Sequence, residues 1–158
     1  MANRILPHIG IAHIAASIIL LMISITGCTR NNGDIGPWFG IWTLNSIEAD
    51  GTPVPDYEPN TIFWKFQSTV INITQLLECH DYHDTFGTWR QIDDSLLELN
   101  FTHSNDGQQP GTGLYAPPEE MHLPSEICKL HIVSFTGKKL VLTYISAEEI
   151  TYTYTLSK

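Results

Sequence analysis

Ile150-Thr151-Tyr152-Thr153-Tyr154-Thr155-Leu156 is the stretch whose reading decides the fold. Apolar or aromatic residues occupy every second position and threonine fills the gaps, the period-two pattern of a β-strand with one buried face. Working outward, the same pattern returns. Leu97, Leu99 and Phe101 alternate with Glu98 and Asn100, and Ile62, Trp64 and Phe66 share a face opposite Lys65. Further strands are expected from residue 39 to the Asp50-Gly51-Thr52-Pro53 turn, over 70–77, 88–92 and 129–135, and from Lys139 to Ser146. Gln67-Ser68, Asp93-Asp94, Thr136-Gly137-Lys138 and Ala147-Glu148 read as short connections. No segment holds a helical period over three turns. The expectation is an all-β domain, an antiparallel up-and-down β-barrel of about eight strands, with a β-sandwich as the alternative. Thr102 to Ser125 is the exception. It is rich in glycine and proline and is too long for a plain connection, which marks it as a functional or mobile loop. Within it, Pro117-Pro118-Glu119-Glu120 is suited to begin one helical turn.

Ahead of the strands stands an apolar run, Ile14 to Ile25, preceded by Arg4 and closed by Ile25-Thr26-Gly27-Cys28. A charged start, an apolar stretch and small residues make an export signal. The aliphatic-small-Gly-Cys ending resembles the bacterial lipobox, which implies cleavage after residue 27 and lipidation of the Cys28 thiol. Acyl chains such as palmitate then anchor the protein, each buried CH2 adding about 0.8 kcal/mol. The expected organisation is a signal peptide over 1–27, a flexible polar tether over 28–37 and a β domain over 38–158. Thr29-Arg30-Asn31-Asn32 lacks the acidic cluster that often follows the lipidated cysteine in surface-displayed lipoproteins. The expected location is therefore the outer membrane, lipid-anchored and facing the periplasm.

Composition agrees with an exported protein and excludes some partners. The 158 residues carry a net charge of −9. Scattered Lys and Arg in an acidic chain offer no basic patch for nucleic acid, and anionic lipid heads repel it, so anchoring falls to the acyl chains. With Cys28 used by lipid, Cys79 and Cys128 remain. They either form one disulfide, worth about 4 kcal/mol by chain entropy, or stay as two buried free thiols.

Gly40-Ile41-Trp42 opens the first strand, and Phe86-Gly87-Thr88-Trp89 repeats the Phe39-Gly40-Ile41-Trp42 pattern in mid-chain. A G-x-W at the first strand of a short, all-β exported chain resembles the lipocalin signature. The closer likeness is to the short lipocalin-like lipoproteins of Bacteroidetes-type bacteria, in which a second G-x-W precedes a D-x-L-x-L strand, here Asp94, Leu97 and Leu99 with one residue more after the aspartate. The resemblance implies that Gly40 bends the strand and that Trp42 plugs the closed end of the barrel; by the residues alone, each glycine relieves a crowded bend and each tryptophan fills the core. Two departures stand out: no helix follows the last strand, and no Arg near the C-terminus stacks on Trp42. The resemblance also implies an interior that holds a small apolar or amphipathic ligand, with Trp64, Phe66, Tyr144, Tyr152 and Tyr154 as candidate walls. The loop from Thr102 to Ser125 is then placed to cover the mouth. The alternative is a protein-interaction or inhibitor module with a filled core, which meets an envelope partner through that loop or a strand edge.

Other sites are weaker. Cys79-His80-Asp81-Tyr82-His83-Asp84 is the densest group of metal-ligand types, yet it lacks the four-ligand spacing of a structural zinc site and reads as a solvated turn. No metal or cofactor is expected. There is no G-x-S-x-G, phosphate-binding glycine loop or H-E-x-x-H, and no spacing that pairs an acid with a base, so catalysis is not expected. Asp94-Ser95-Leu96 resembles a short O-glycosylation site of exported Bacteroidetes proteins.

Overall fold

Tyr152, Tyr154 and Leu156 are buried along the last strand, and the threonines between them are half-exposed. The computed structural model that shows this describes residues 35–102 and 115–158. The signal segment, Cys28, most of the expected tether and residues 103–114 of the long loop lie outside the described residues. Among the described residues the strands are β1 (Gly40–Ala49), β2 (Thr52–Pro53), β3 (Ile62–Gln67), β4 (Val70–Leu76), β5 (Tyr82–Asp93), β6 (Leu96–Asn100), β7 (Ile127–Phe135), β8 (Lys139–Ile145) and β9 (Thr151–Ser157). Short 3-10 turns cover Gly36–Trp38, Glu78–His80 and Glu119–Met121.

Each strand pairs antiparallel with the next, and the two-residue β2 only extends the far end of β1. β9 then returns to β1, in register from Thr43 opposite Ser157 to Ala49 opposite Tyr152. β1 and β3–β9 therefore close an eight-stranded up-and-down barrel. A single sheet surrounds its own core, so the sandwich alternative is set aside. β1 serves two neighbours because it bends. Its first residues, Gly40 to Thr43, pair with β3, and from Thr43 onward it pairs with β9. The register shifts between Leu44 and Ser46, leaving Asn45 as an extra residue. Such bulges bend a strand and sharpen its twist.

Inside, alternation delivers one apolar residue at every second position. Trp42, Leu44, Trp64, Phe66, Ile71, Ile73, Leu97, Leu99, Leu130, Leu140, Leu142, Tyr154 and Leu156 are fully buried. Eight strands leave an interior just wide enough to be filled by side chains or to hold one small ligand.

β5 corrects the sequence reading, which places a turn over residues 79–84 and starts a strand only at Thr88. The strand begins at Tyr82. Its first inward positions are Thr85 and Gly87, both buried, so no apolar alternation marks this half. The reason lies across the barrel wall. A Cβ at Gly87 would sit 2.7 Å from the Asn100 carbonyl oxygen and 2.8 Å from the Phe101 ring. Phe101 fills the space that a side chain on β5 would otherwise occupy. At the N-terminal side, Gly36 and Pro37, expected as the end of the tether, form the first turn with Trp38, which is buried.

Gly87→Ala is expected to destabilise the domain by about 1–3 kcal/mol through overpacking. Gly137, where an added Cβ would meet nothing within 4 Å, is the control, since Gly137→Ala should change stability by about 0.5 kcal/mol or less. Urea unfolding of the two variants measures the difference.

Candidate functional site

The barrel has one short-looped end and one long-looped end. β3–β4, β5–β6 and β7–β8 turn at the first; the loops after β2, β4, β6 and β8 gather at the second.

The short-looped end is shut by aromatic rings. Trp42 is fully buried, and its Nε1 donates to the Trp38 carbonyl oxygen at 3.0 Å. Trp38 in turn donates through Nε1 to Gln91 Oε1 at 2.9 Å, and its ring lies 4.2 Å from Phe135 and 5.3 Å from Trp89, centroid to centroid. Lys158 holds its ammonium 4.5 Å above the Trp42 ring. The same ammonium donates to the carbonyl oxygens of Pro37 and Phe39 at 2.5 and 2.6 Å. The missing arginine of the sequence reading is thus replaced by a lysine from the end of β9. An ammonium over an indole face is attracted by the ring quadrupole, as a guanidinium is.

The long-looped end is the mouth, and residues 115–125 lie across it. Pro117 and Pro118 are buried, and Met121 is fully buried in the core. The Tyr154 hydroxyl donates to the Met121 carbonyl oxygen at 2.7 Å. Thr85 Oγ1 donates to the Ala116 carbonyl oxygen at 2.8 Å, and Gln75 Nε2 to Glu120 Oε1 at 2.8 Å. The His122 ring stacks on Tyr152, 4.7 Å away and 14° from parallel. The 3-10 turn Glu119–Met121 forms where the Pro-Pro-Glu-Glu stretch led one to expect a helical turn.

Of the candidate wall residues, Trp64, Phe66 and Tyr154 sit together in the core, with Trp64 ring centroids 6.3 Å from Phe66 and 6.1 Å from Tyr154. Tyr152 lies higher, under His122, and Tyr144 is half-buried on β8. Trp64 Nε1 is buried with no hydrogen-bond partner among the described residues. Burial pushes the Tyr154 hydroxyl pKa up, so it stays a proton donor to its carbonyl partner.

Beside the lid runs a cleft of about 440 Å³ whose lining includes Asp56, Tyr57, Glu58, Gln75, Glu78 and Glu120. Among the described residues no Lys or Arg lines it, so this approach to the mouth is negatively charged. Burial pushes Tyr57 up to about 12, and its hydroxyl donates to the Leu44 carbonyl oxygen beside the β1 bulge.

The two remaining cysteines are not joined. Cys79 is exposed in the turn before β5, and Cys128 is buried on β7 with its thiol raised to about 12 by burial. Among the described residues, no three His, Cys, Asp or Glu side chains converge to hold a metal ion. Asp84 instead belongs to the outer wall. It accepts from Thr74 Oγ1 at 2.5 Å and from Asn72 Nδ2 at 3.1 Å, and Lys65 Nζ donates to Thr74 at 2.7 Å.

The sequence profile of the lipocalin-like domain family matches residues 21–154. The chain belongs to the lipocalin-like domain family. Among solved structures, a lipocalin-like protein from Bacteroides uniformis ATCC 8492 shares the fold with a TM-score of 0.55 at 16% identity, over 78% of this chain and 99% of that one. An uncharacterized protein from Bacteroides eggerthii DSM 20697 aligns over 75% of this chain and 98% of its own, with a TM-score of 0.48 and 14% identity. No curated protein matches. The lipocalin-like architecture is generally one of binding rather than catalysis.

Sequence reasoning did not single out Met121, Trp38 or Lys158. Met121 did carry a signal, as an apolar side chain with Leu123 in a loop otherwise dominated by polar residues, glycine and proline.

Burial raises the Asp84 pKa, but the hydrogen bonds from Thr74 and Asn72 and the charge of Lys65 outweigh it and hold the carboxyl below its ordinary value. A depressed carboxyl stabilises the fold above its unfolded pKa and loses that contribution as pH falls through the folded value. Asp84→Asn should therefore flatten the decline of stability below about pH 4. Unfolding midpoints from about pH 5 downward check this, and an unchanged slope contradicts it.

Proposed function

We propose that this chain is a lipid-anchored binding protein of the bacterial envelope that holds one small apolar or amphipathic molecule in its barrel and catalyses nothing. The observation that supports it best is the asymmetry of the two ends. One end is shut by Trp42 on β1, Trp38 in the turn before it and Lys158 just after β9, tied to one another and to the chain leading into β1. The other is covered by residues 115–125, which among the described residues add no strand to the barrel. A closed wall with one coverable opening suits a molecule that enters from one side. Cys28 would carry the acyl chains and hold the barrel at the outer membrane, facing the periplasm.

One observation favours the second reading, a protein-interaction or inhibitor module. The interior is filled in this conformation, with Trp42, Trp64, Phe66 and Tyr154 fully buried, while Val70 and Phe86 line an apolar hollow of about 190 Å³ on the outer wall. A packed core with an apolar outer patch is what a partner surface requires.

Native mass spectrometry of the protein purified in mild detergent from the envelope of its expressing cells tests both parts. The binding reading predicts a chain starting at Cys28 with acyl mass, plus a noncovalent mass that is lost on organic extraction. A lipidated chain with no extra mass favours the interaction module. A chain without acyl mass contradicts the anchor.

A further inference from the structure

Residues 116–122 cover the mouth, yet the barrel does not depend on them. Among the described residues their backbone-to-backbone bonds stay within their own turn, Met121 N to the Pro118 carbonyl and His122 N to that of Glu119. They join no strand ladder. What fixes them is the buried Met121 side chain, the His122 stack on Tyr152, and the contacts of Thr85, Gln75 and Tyr154 with Ala116, Glu120 and Met121. All of these break without opening one pair of strands. Methionine is also the apolar side chain that repacks most readily, being unbranched and flexible.

Beneath Met121 the core offers hydrogen-bond donors. Tyr154 spends its hydroxyl proton on the Met121 carbonyl. Trp64, fully buried and 6.1 Å from Tyr154 by ring centroids, has an Nε1–H with no acceptor among the described residues. A buried donor without a partner is costly and rare in native cores. Above the lid the rim is acidic, with Asp56, Glu58 and Glu120 lining the cleft. It repels anions.

We propose that residues 116–122 are an internal stopper, and that the ligand is a neutral apolar molecule with a hydrogen-bond acceptor, such as a ketone, ester or amide, which displaces Met121 and accepts hydrogen bonds from the Tyr154 hydroxyl and Trp64 Nε1. The inference rests on the binding reading above and adds the ligand's chemistry and its gate. Met121 acts as the resident occupant, its carbonyl already standing where the ligand's acceptor would accept from Tyr154.

The test uses the mature chain, residues 28–158, with Cys28→Ser so that no acyl chain competes; the barrel is complete within the part described. The probe is Nile red, neutral and carbonyl-bearing, followed by fluorescence, with anionic 1-anilinonaphthalene-8-sulfonate as comparison. Met121→Ala should bind Nile red at least about tenfold more tightly than the parent. A second variant, Gln75→Cys/Glu120→Cys with Cys79→Ser, is bridged by dibromobimane to hold the segment down. Bridging should weaken Nile red binding at least about tenfold, and the unbridged protein should bind normally. Equal binding with and without the bridge overturns the stopper, whether or not the alanine variant folds. Binding of the anionic probe as tight as that of Nile red overturns the neutral-ligand assignment. Failure of every form, Met121→Ala included, to bind either probe overturns the underlying binding reading as well.

Discussion

Everything in this fold depends on the meeting of its first and last strands. An open eight-stranded sheet would leave β1 and β9 as unpaired edges and expose the apolar face that alternation has built. Pairing β9 to β1 closes the wall and gives the side chains of Tyr152, Tyr154 and Leu156 a common interior with those of Trp42 and Leu44. The seam is secured at its closed end. Trp42 comes from β1 and Lys158 from the end of β9, and the ammonium over the indole ties them together. It also reaches the carbonyls of Pro37 and Phe39 ahead of β1. The backbone of Gly40, at φ +124°, lets the chain pass from the 3-10 turn into the strand with Lys158 Cε only 3.4 Å from where a Cβ would be.

Closure dictates what can vary. Once one end is filled by Trp38, Trp42, Trp89 and Phe135, a change in the interior can happen only at the other end, where the loops are long. There the barrel meets residues 115–125, which are held by side-chain contacts rather than by strand pairing. This division between a fixed bottom and a detachable top is the physical basis for reading the chain as a binding protein. Under the proposed binding role, the acidic rim and the donors beneath it would favour a neutral ligand with an acceptor.

Strict alternation made most of the barrel legible. In β3, β6 and β9 the buried residues are apolar at every second position, and the strands fall within a residue or so of the expected places. The first half of β5 is illegible for a local reason with distant causes: Gly87 faces inward because the Asn100 carbonyl and the Phe101 ring leave no room for a side chain, and Thr85 faces inward to reach the Ala116 carbonyl. Gly36 and Pro37 look like spacer residues by composition, yet they share a 3-10 turn with the buried Trp38. The two cysteines could not be resolved from spacing, since pairing depends on which way each side chain points; one faces solvent and the other the core. Lys158 does not stand out in the sequence because the family likeness points to arginine, whereas any cation over the Trp42 ring meets the geometry. The long loop stands out in the sequence by length and composition, but the burial of Met121 depends on contacts with the distant strand β9.

Amide hydrogen exchange on the wild-type protein and on Lys158→Met measures the seam directly. The substitution keeps an apolar stem and removes the charge. If the closed end secures β1 to β9, amides in residues 40–44 and 155–157 lose about 1 kcal/mol of protection, and those of β4 to β6 keep theirs. Unchanged protection along β1 and β9, or a uniform loss around the whole barrel, would contradict the account.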